Sequence, residues 1–232
     1  MKVSIFQPTY LPWLGIFKAI AWADTFVFLD DVQFENHSWQ SRNRIKSANG
    51  EIILTVPIVR NFPQDIKEVK INYARDWVKG HLKSIEQNYS KSGNLNDFFP
   101  RLSKVLNAQH EKLLDLNVGL IKEICDYLEI KYDICFSSEF NVSNLNKNEK
   151  IIAILKKLNA DQYLYAQGAS EYMSPAFNDY AANNIKLIPL KFDYPAYKQF
   201  YGDFVSHLSI IDLIFNCGRE ETKKIIDEIN LN

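Results

Sequence analysis

Cysteine is scarce: Cys125, Cys135 and Cys217 are scattered, odd in number and form no C-x-x-C pair. That spacing argues against a disulfide framework and against a zinc site. Charge of one sign is missing too. Twenty-seven basic side chains oppose 28 acidic ones, for a net charge of −1. A general nucleic-acid binder carries a basic excess, so that class is set aside. No apolar run approaches the roughly 20 residues of a membrane helix, so no membrane insertion is expected. The opening Met1 to Phe6 meets Gln7 and Pro8 too soon for a signal peptide. The expected location is cytoplasmic. Neither G-x-x-x-x-G-K-[ST] nor G-x-G-x-x-G occurs, which removes both standard glycine-rich phosphate cradles. H-E-x-x-H and paired-carboxylate metal signatures are also missing, so no metal ligand is assigned. His81 and His110 fall on helical stretches and read as exposed or structural. No Ser-His-Asp set stands out.

What remains is an ordinary globular composition, 47% apolar and 24% charged over 232 residues. This is enough for a full hydrophobic core. Aromatics make up 13%, several of them in polar company, such as Tyr10, Trp13, Trp39 and Tyr197. They suit a flat or sugar-like ligand, or they fill the core.

Val3 to Phe6 reads as a strand, Leu14 to Ala21 as a helix and Thr25 to Leu29 as a strand buried on both faces. A right-handed crossover makes the two strands parallel. Residues 30–50 read as polar and irregular. Strands are expected at Glu51–Val56 and Ile66–Ile71, and helices across residues 76–130. Alternation then resumes, with strands at Tyr132–Phe136, Gln162–Ala166 and Ile185–Phe192. Helices are expected at Glu149–Leu158, Glu171–Ala182, Ser209–Asn216 and Glu220–Ile229. The pattern predicts one α/β domain over 1–232, a three-layer mostly parallel sheet. Residues 75–130 would form a central helical insertion or lid.

Parallel sheets bind ligands beyond the carboxyl ends of their strands. One such end is Phe6-Gln7-Pro8-Thr9-Tyr10, another Leu29-Asp30-Asp31-Val32-Gln33. Alternation lets only one of Asp30 and Asp31 aim into a shared crevice. Both would equally cap the following turn. The segment Phe34 to Arg44 then gathers His37, Trp39, Arg42, Arg44 and several amides. Two guanidinium groups two residues apart suit phosphate oxygens, Trp39 offers a stacking face and His37 exchanges protons near neutrality. The parts fit a nucleotide diphosphate or another anion, or else a solvated loop of ion pairs. Late in the chain, Gly168 precedes a helix whose first turn could hold an anion. Tyr197 and Gln199 follow another strand. Ser209, with Asp212 three residues on, reads as a helix cap.

These stretches resemble the WbqC-like protein family of bacterial polysaccharide gene clusters. The resemblance rests on Gln7 to Gly15, Phe28 to Phe34, Ser38 to Lys46, Leu54 to Pro57, Gly168 to Tyr172, Tyr194 to Gln199 and Leu208 to Gly218. One departure is Phe6, where a histidine often precedes the Gln-Pro pair, so a catalytic role does not carry over to it. The resemblance implies a transferase of surface-glycan, O-antigen type biosynthesis. It would add an acyl or aminoacyl group to the amine of a nucleotide-linked amino sugar. His37 is then the first candidate base, with Asp31 or Asp30 second. Arg42 and Arg44 would hold the diphosphate. Gln7, Gln33, Gln40 and Asn43 would read sugar hydroxyls, and Tyr10, Trp39 or Tyr197 would stack. Gly168, Tyr172, Gln199 and Ser209 complete the binding set. The acyl donor and cofactor are unknown. Coenzyme A, an acyl carrier protein, an aminoacyl-tRNA and an amino acid with ATP all remain open. Pro12-Trp13-Leu14-Gly15-Ile16 also resembles the turn of nucleotidyltransferases with a HIGH signature, without its two histidines. An adenylating or nucleotidyl-transfer enzyme is therefore an alternative, as is a non-catalytic nucleotide-sugar-binding accessory protein.

Overall fold

Each strand of the sheet takes its place from where its alternate side chains can be buried. The computed structural model describes residues 1–166, 168, 173–190 and 194–228. In chain order the elements are β1 (Lys2–Phe6), α1 (Leu14–Trp22), β2 (Thr25–Phe28), β3 (Arg42–Ser47) and β4 (Gly50–Thr55). Next come α2 (Trp77–Tyr89), α3 (Leu95–Leu106), α4 (Leu113–Leu128), β5 (Ile134–Phe136) and α5 (Lys147–Lys157). Then follow β6 (Gln162–Ala166), α6 (Phe177–Ala182), β7 (Lys186–Leu190) and α7 (Ile210–Glu228).

Five strands form one sheet in the order β5-β2-β1-β6-β7, and every pairing in it is parallel. Val3, Ile5, Val27, Tyr163 and Tyr165 bury one face with Ile154 and Leu155 of α5 and Tyr180 of α6. Phe26, Phe28 and Leu164 bury the other against a larger core that includes α1, α2, α3, α4 and α7. The result is a three-layer α/β fold, as the alternating sequence pattern predicts. The chain runs outward from β1 through β2 to β5, then crosses back to β6 and β7. The strand order therefore reverses between β1 and β6, where doubly wound sheets open a crevice at their carboxyl edge.

The irregular reading of residues 30–50 is corrected. Arg42–Ser47 and Gly50–Thr55 pair as an antiparallel hairpin around Ala48-Asn49. The inward positions of β3 include Asn43 beside Ile45, and an amide there hides the apolar alternation. Asn43 can be buried because its Nδ2 donates to the carbonyls of Tyr10 (3.1 Å) and Leu11 (2.7 Å). The strand expected at Ile66–Ile71 is instead a single 3-10 turn, Ile66–Glu68, with Ile71 bridged to Ile58. His110 lies in the connection after α3, not on a helix. Two C-terminal helical segments are present as expected, and they abut at Gly218, whose backbone is non-helical (φ 80°, ψ 177°). Of the helix expected over Glu171–Ala182, the described part is a 3-10 turn, Ser174–Ala176, leading into α6.

Candidate functional site

A pocket of about 450 Å³ opens at the reversal point. Phe6 borders it from β1, Gln7 and Leu29 from just beyond β1 and β2, and Tyr163 and Ala166 from β6. Trp13, Trp39, Asn43 and His207 also line it. Of the loops after residues 6, 29, 166 and 192, expected to build a crevice, the first contributes Gln7 and Thr9, Leu29 and Ala166 mark where the next two start, and residues 167 and 169–172 lie outside the described residues. Residues 191–193 are outside the described residues. No lining residue comes from 75–130.

Trp13 owes its place to Gly15. A Cβ at Gly15 would sit 2.2 Å from the indole, so the ring folds back over bare backbone. The indole stacks on Tyr194 (6.0 Å between centroids) and lies 5.1 Å from the His207 ring. Backbone bonds clasp the same segments: Ile210 N–H donates to the Pro12 carbonyl (2.9 Å) and Ser209 N–H to the Arg44 carbonyl (3.0 Å). Ser209 is buried, with its Oγ 3.5 Å from the Ile211 N–H, in keeping with the cap expected there.

Gln7 is held by Gln40, whose Nε2 donates to Gln7 Oε1 (2.8 Å) and whose Oε1 accepts from the Glu35 N–H (3.2 Å). Gln40 is itself buried, so it orients Gln7 from behind the pocket wall. The Thr9 hydroxyl also borders the pocket and is buried without a hydrogen-bond partner. Trp39 is 47% exposed and presents an indole face. The guanidinium groups of Arg42 and Arg44 lie 5.7 and 5.4 Å from its centroid. Arg44 is engaged elsewhere: it forks onto Glu51 (2.9 and 3.1 Å) and donates to the His207 carbonyl (3.3 Å). Among the described residues Arg42 has no ion pair, and its buried Nε has no hydrogen-bond partner.

Other predicted site residues lie elsewhere. Tyr10 is fully buried, its hydroxyl 3.0 Å from His81 Nδ1, so its ring has no free face for a ligand. Burial pushes the His81 imidazole down to about 4, which keeps it neutral beside that phenol. Asp30 and Asp31 both turn onto Ser137. Asp30 accepts from its hydroxyl (3.0 Å) and from Ser138 N–H and Oγ (2.9 and 2.8 Å). Asp31 accepts from the same Ser137 hydroxyl and pairs with the Lys150 ammonium at 3.1 Å. Both carboxylates are buried and neither borders the pocket. His37 is exposed in a left-handed turn (φ 58°) and borders no described pocket. Gln33 is exposed, bridged to Asp65. Gly168 is exposed, and Tyr172 lies outside the described residues.

Tyr197 and Gln199 serve a buried network. The Asp212 carboxylate accepts from Tyr89 (2.5 Å), Tyr197 (2.7 Å) and Gln199 Nε2 (3.0 Å). Burial pushes its carboxyl above the ordinary range, while those three donors pull the other way. The network ties the strap over residues 194–207 to α2 and α7, and that strap carries His207 into the pocket.

His207 is the residue that reading the sequence missed. Its Nδ1 lies 2.9 Å from Ser206 Oγ, and its ring packs 4.8 Å from Tyr194. Among the described residues that line the pocket it is the one imidazole, and they include no carboxylate, lysine or cysteine. The available signal was its place between the Tyr194–Tyr201 aromatic run and the Ser209 cap. Among the described residues, no group of three or more His, Cys, Asp or Glu is arranged to hold a metal ion. No helix among them is long and apolar enough to cross a membrane.

Comparison with known proteins agrees along nearly the whole length. The chain is 34% identical over 223 residues to the uncharacterized protein Rv1507c of Mycobacterium tuberculosis (strain ATCC 25618 / H37Rv), covering 94% of this chain and 95% of that one. No solved structure matches it. The model of the WbqC-like protein family matches residues 7–224, and the chain belongs to that family.

Proposed function

We propose that the protein transfers an acyl or aminoacyl group to the amine of a nucleotide-linked amino sugar, within surface-glycan biosynthesis. The observation that carries this reading is the composition of the pocket at the strand-order reversal. The indole face of Trp39, the amide of Gln7 and the unpartnered Thr9 hydroxyl border one space, with the Trp13 ring beside them. Aromatic faces suit a base or pyranose, and directed amides suit sugar hydroxyls. Arg42, free of an ion pair among the described residues and beside the Trp39 ring, suits the diphosphate. The reaction forms an N–C bond from the amine lone pair and breaks the donor's bond to its leaving group, which departs with the electron pair. The amine proton needs an acceptor. His207 takes that role here in place of His37, Asp31 and Asp30, because it borders the pocket and they do not.

The test is a thermal-shift screen with thymidine, uridine and guanosine diphosphate amino sugars, followed by mass analysis of the sugar after incubation with acyl donors. The reading expects one amino-sugar nucleotide to raise the melting temperature and to gain the mass of an acyl group. Binding without a mass change for any donor would favour an accessory binding protein. The doubly wound strand order supports a second reading, nucleotidyl transfer or adenylation, since such sheets bind mononucleotides at the same place. A shift with ATP alone, with pyrophosphate exchange dependent on the co-substrate, would favour that one.

A further inference from the structure

A second cavity of about 290 Å³ adjoins the first. Gln7, Leu29, Ile151 and Tyr163 line both, so the two are lobes of one crevice. Their chemistry differs. The first has no lysine or arginine among its described lining residues, whereas the second is bordered by Lys147, Asn148 and Lys150 from the start of α5.

Lys150 is only 4% exposed. Its ammonium donates to the Asp31 carbonyl (2.9 Å) and lies 3.1 Å from Asp31 Oδ2. An ammonium has three N–H donors, so one is left beyond the two directed at Asp31. Asp31 in turn fixes where that buried charge stands. Lys147 is exposed and, among the described residues, has neither an ion pair nor a hydrogen bond. Both lysines belong to the first turn of an 11-residue helix, whose N-terminus adds partial positive charge. Among the described lining residues the one carboxylate is Glu35, exposed in the structure.

We propose that this second lobe is an anion subsite for a phosphate group of the acyl donor, seated beside the acceptor sugar in the first lobe. The assignment deepens the transfer reading and rests on it. A phosphate would meet the spare donor of Lys150, the free ammonium of Lys147 and the Asn148 amide together. Gln7, shared by the lobes, would stand between donor and acceptor.

Titration calorimetry of the full chain with inorganic pyrophosphate at low ionic strength tests the subsite in an Arg42→Ala background, which removes the guanidinium assigned to the diphosphate of the first lobe. Lys147→Glu is added to that background; Lys147 is exposed, so its replacement leaves the core intact, and Lys147→Gln serves as a milder second variant. The expected result is one pyrophosphate per chain in Arg42→Ala, weakened about tenfold or more when Lys147→Glu is added and less with Lys147→Gln. Saturating amino-sugar nucleotide should not displace it. No binding by Arg42→Ala, or equal binding with and without Lys147→Glu, would each overturn the subsite. Displacement by the amino-sugar nucleotide would overturn its assignment to the donor. Missing acyl transfer with pyrophosphate binding intact would instead remove the transfer reading and leave an anion subsite standing.

Discussion

The proposed transfer assigns the proton to His207 and the diphosphate charge to Arg42. With His207 as the base, His207→Gln should lower kcat by roughly 10²- to 10⁴-fold. Its affinity for the nucleotide sugar should stay close to wild type. A variant that keeps wild-type kcat would return the search to other bases. Arg42→Ala should weaken nucleotide-sugar binding about 10- to 100-fold, the range for a charge-assisted hydrogen bond to an anion. Equal affinities in a titration would remove that role. Gln7, Trp39 and Asn43 could be picked out from the sequence because they follow strand ends or cluster with arginines. Asp30 and Asp31 resembled them for the same reason. Ser137, more than 100 residues away, takes both carboxylates, and nothing local to Asp30 and Asp31 shows that partner. His207 was hidden in the same way, because its position depends on a strap held by Tyr89 and Asp212.

At the scale of elements, two devices hold the walls of the site. Tyr10 joins the first loop to α2 through His81, and burial sets the pH window of that joint. The folded-state value of about 4 lies below the ordinary 6.5. The unfolded chain therefore binds the proton first, and stability present above about pH 6.5 is lost as pH falls toward 4. The contribution is on the order of 3 kcal/mol. Urea titrations between pH 7 and 4 should show a drop in the wild type that His81→Leu lacks, although the variant is weaker at pH 7. Parallel curves would mean that His81 does not carry the effect. Gly218 bends α7 at φ 80°, where a Cβ would lie 2.8 Å from Asn94 Oδ1. Gly218→Ala should cost roughly 1–3 kcal/mol of unfolding free energy, measured by denaturant titration. A loss below about 0.5 kcal/mol would show that the kink adapts. The strands β1, β2 and β6 were legible from their apolar runs. So was β4, read at Glu51–Val56; its partner β3 was not, because polar Asn43 and Lys46 occupy buried positions that their own hydrogen bonds satisfy.

For the whole molecule, local patterning predicts parallel strands and three layers but not their order. Placing β6 against β1 sets the reversal point, and that long-range choice depends on packing α5 and α6 against Val3, Ile5 and Val27. It brings Gln7, Trp13, Trp39 and His207 around one space although 200 residues separate the first from the last. The most direct measurement is tryptophan-fluorescence titration with a nucleotide-linked amino sugar, since Trp13 and Trp39 both border the pocket. Saturable quenching that is weakened together in Trp39→Ala and Arg42→Ala is the predicted result. Saturable binding at wild-type affinity in both variants, or no binding of any amino-sugar nucleotide, would contradict it.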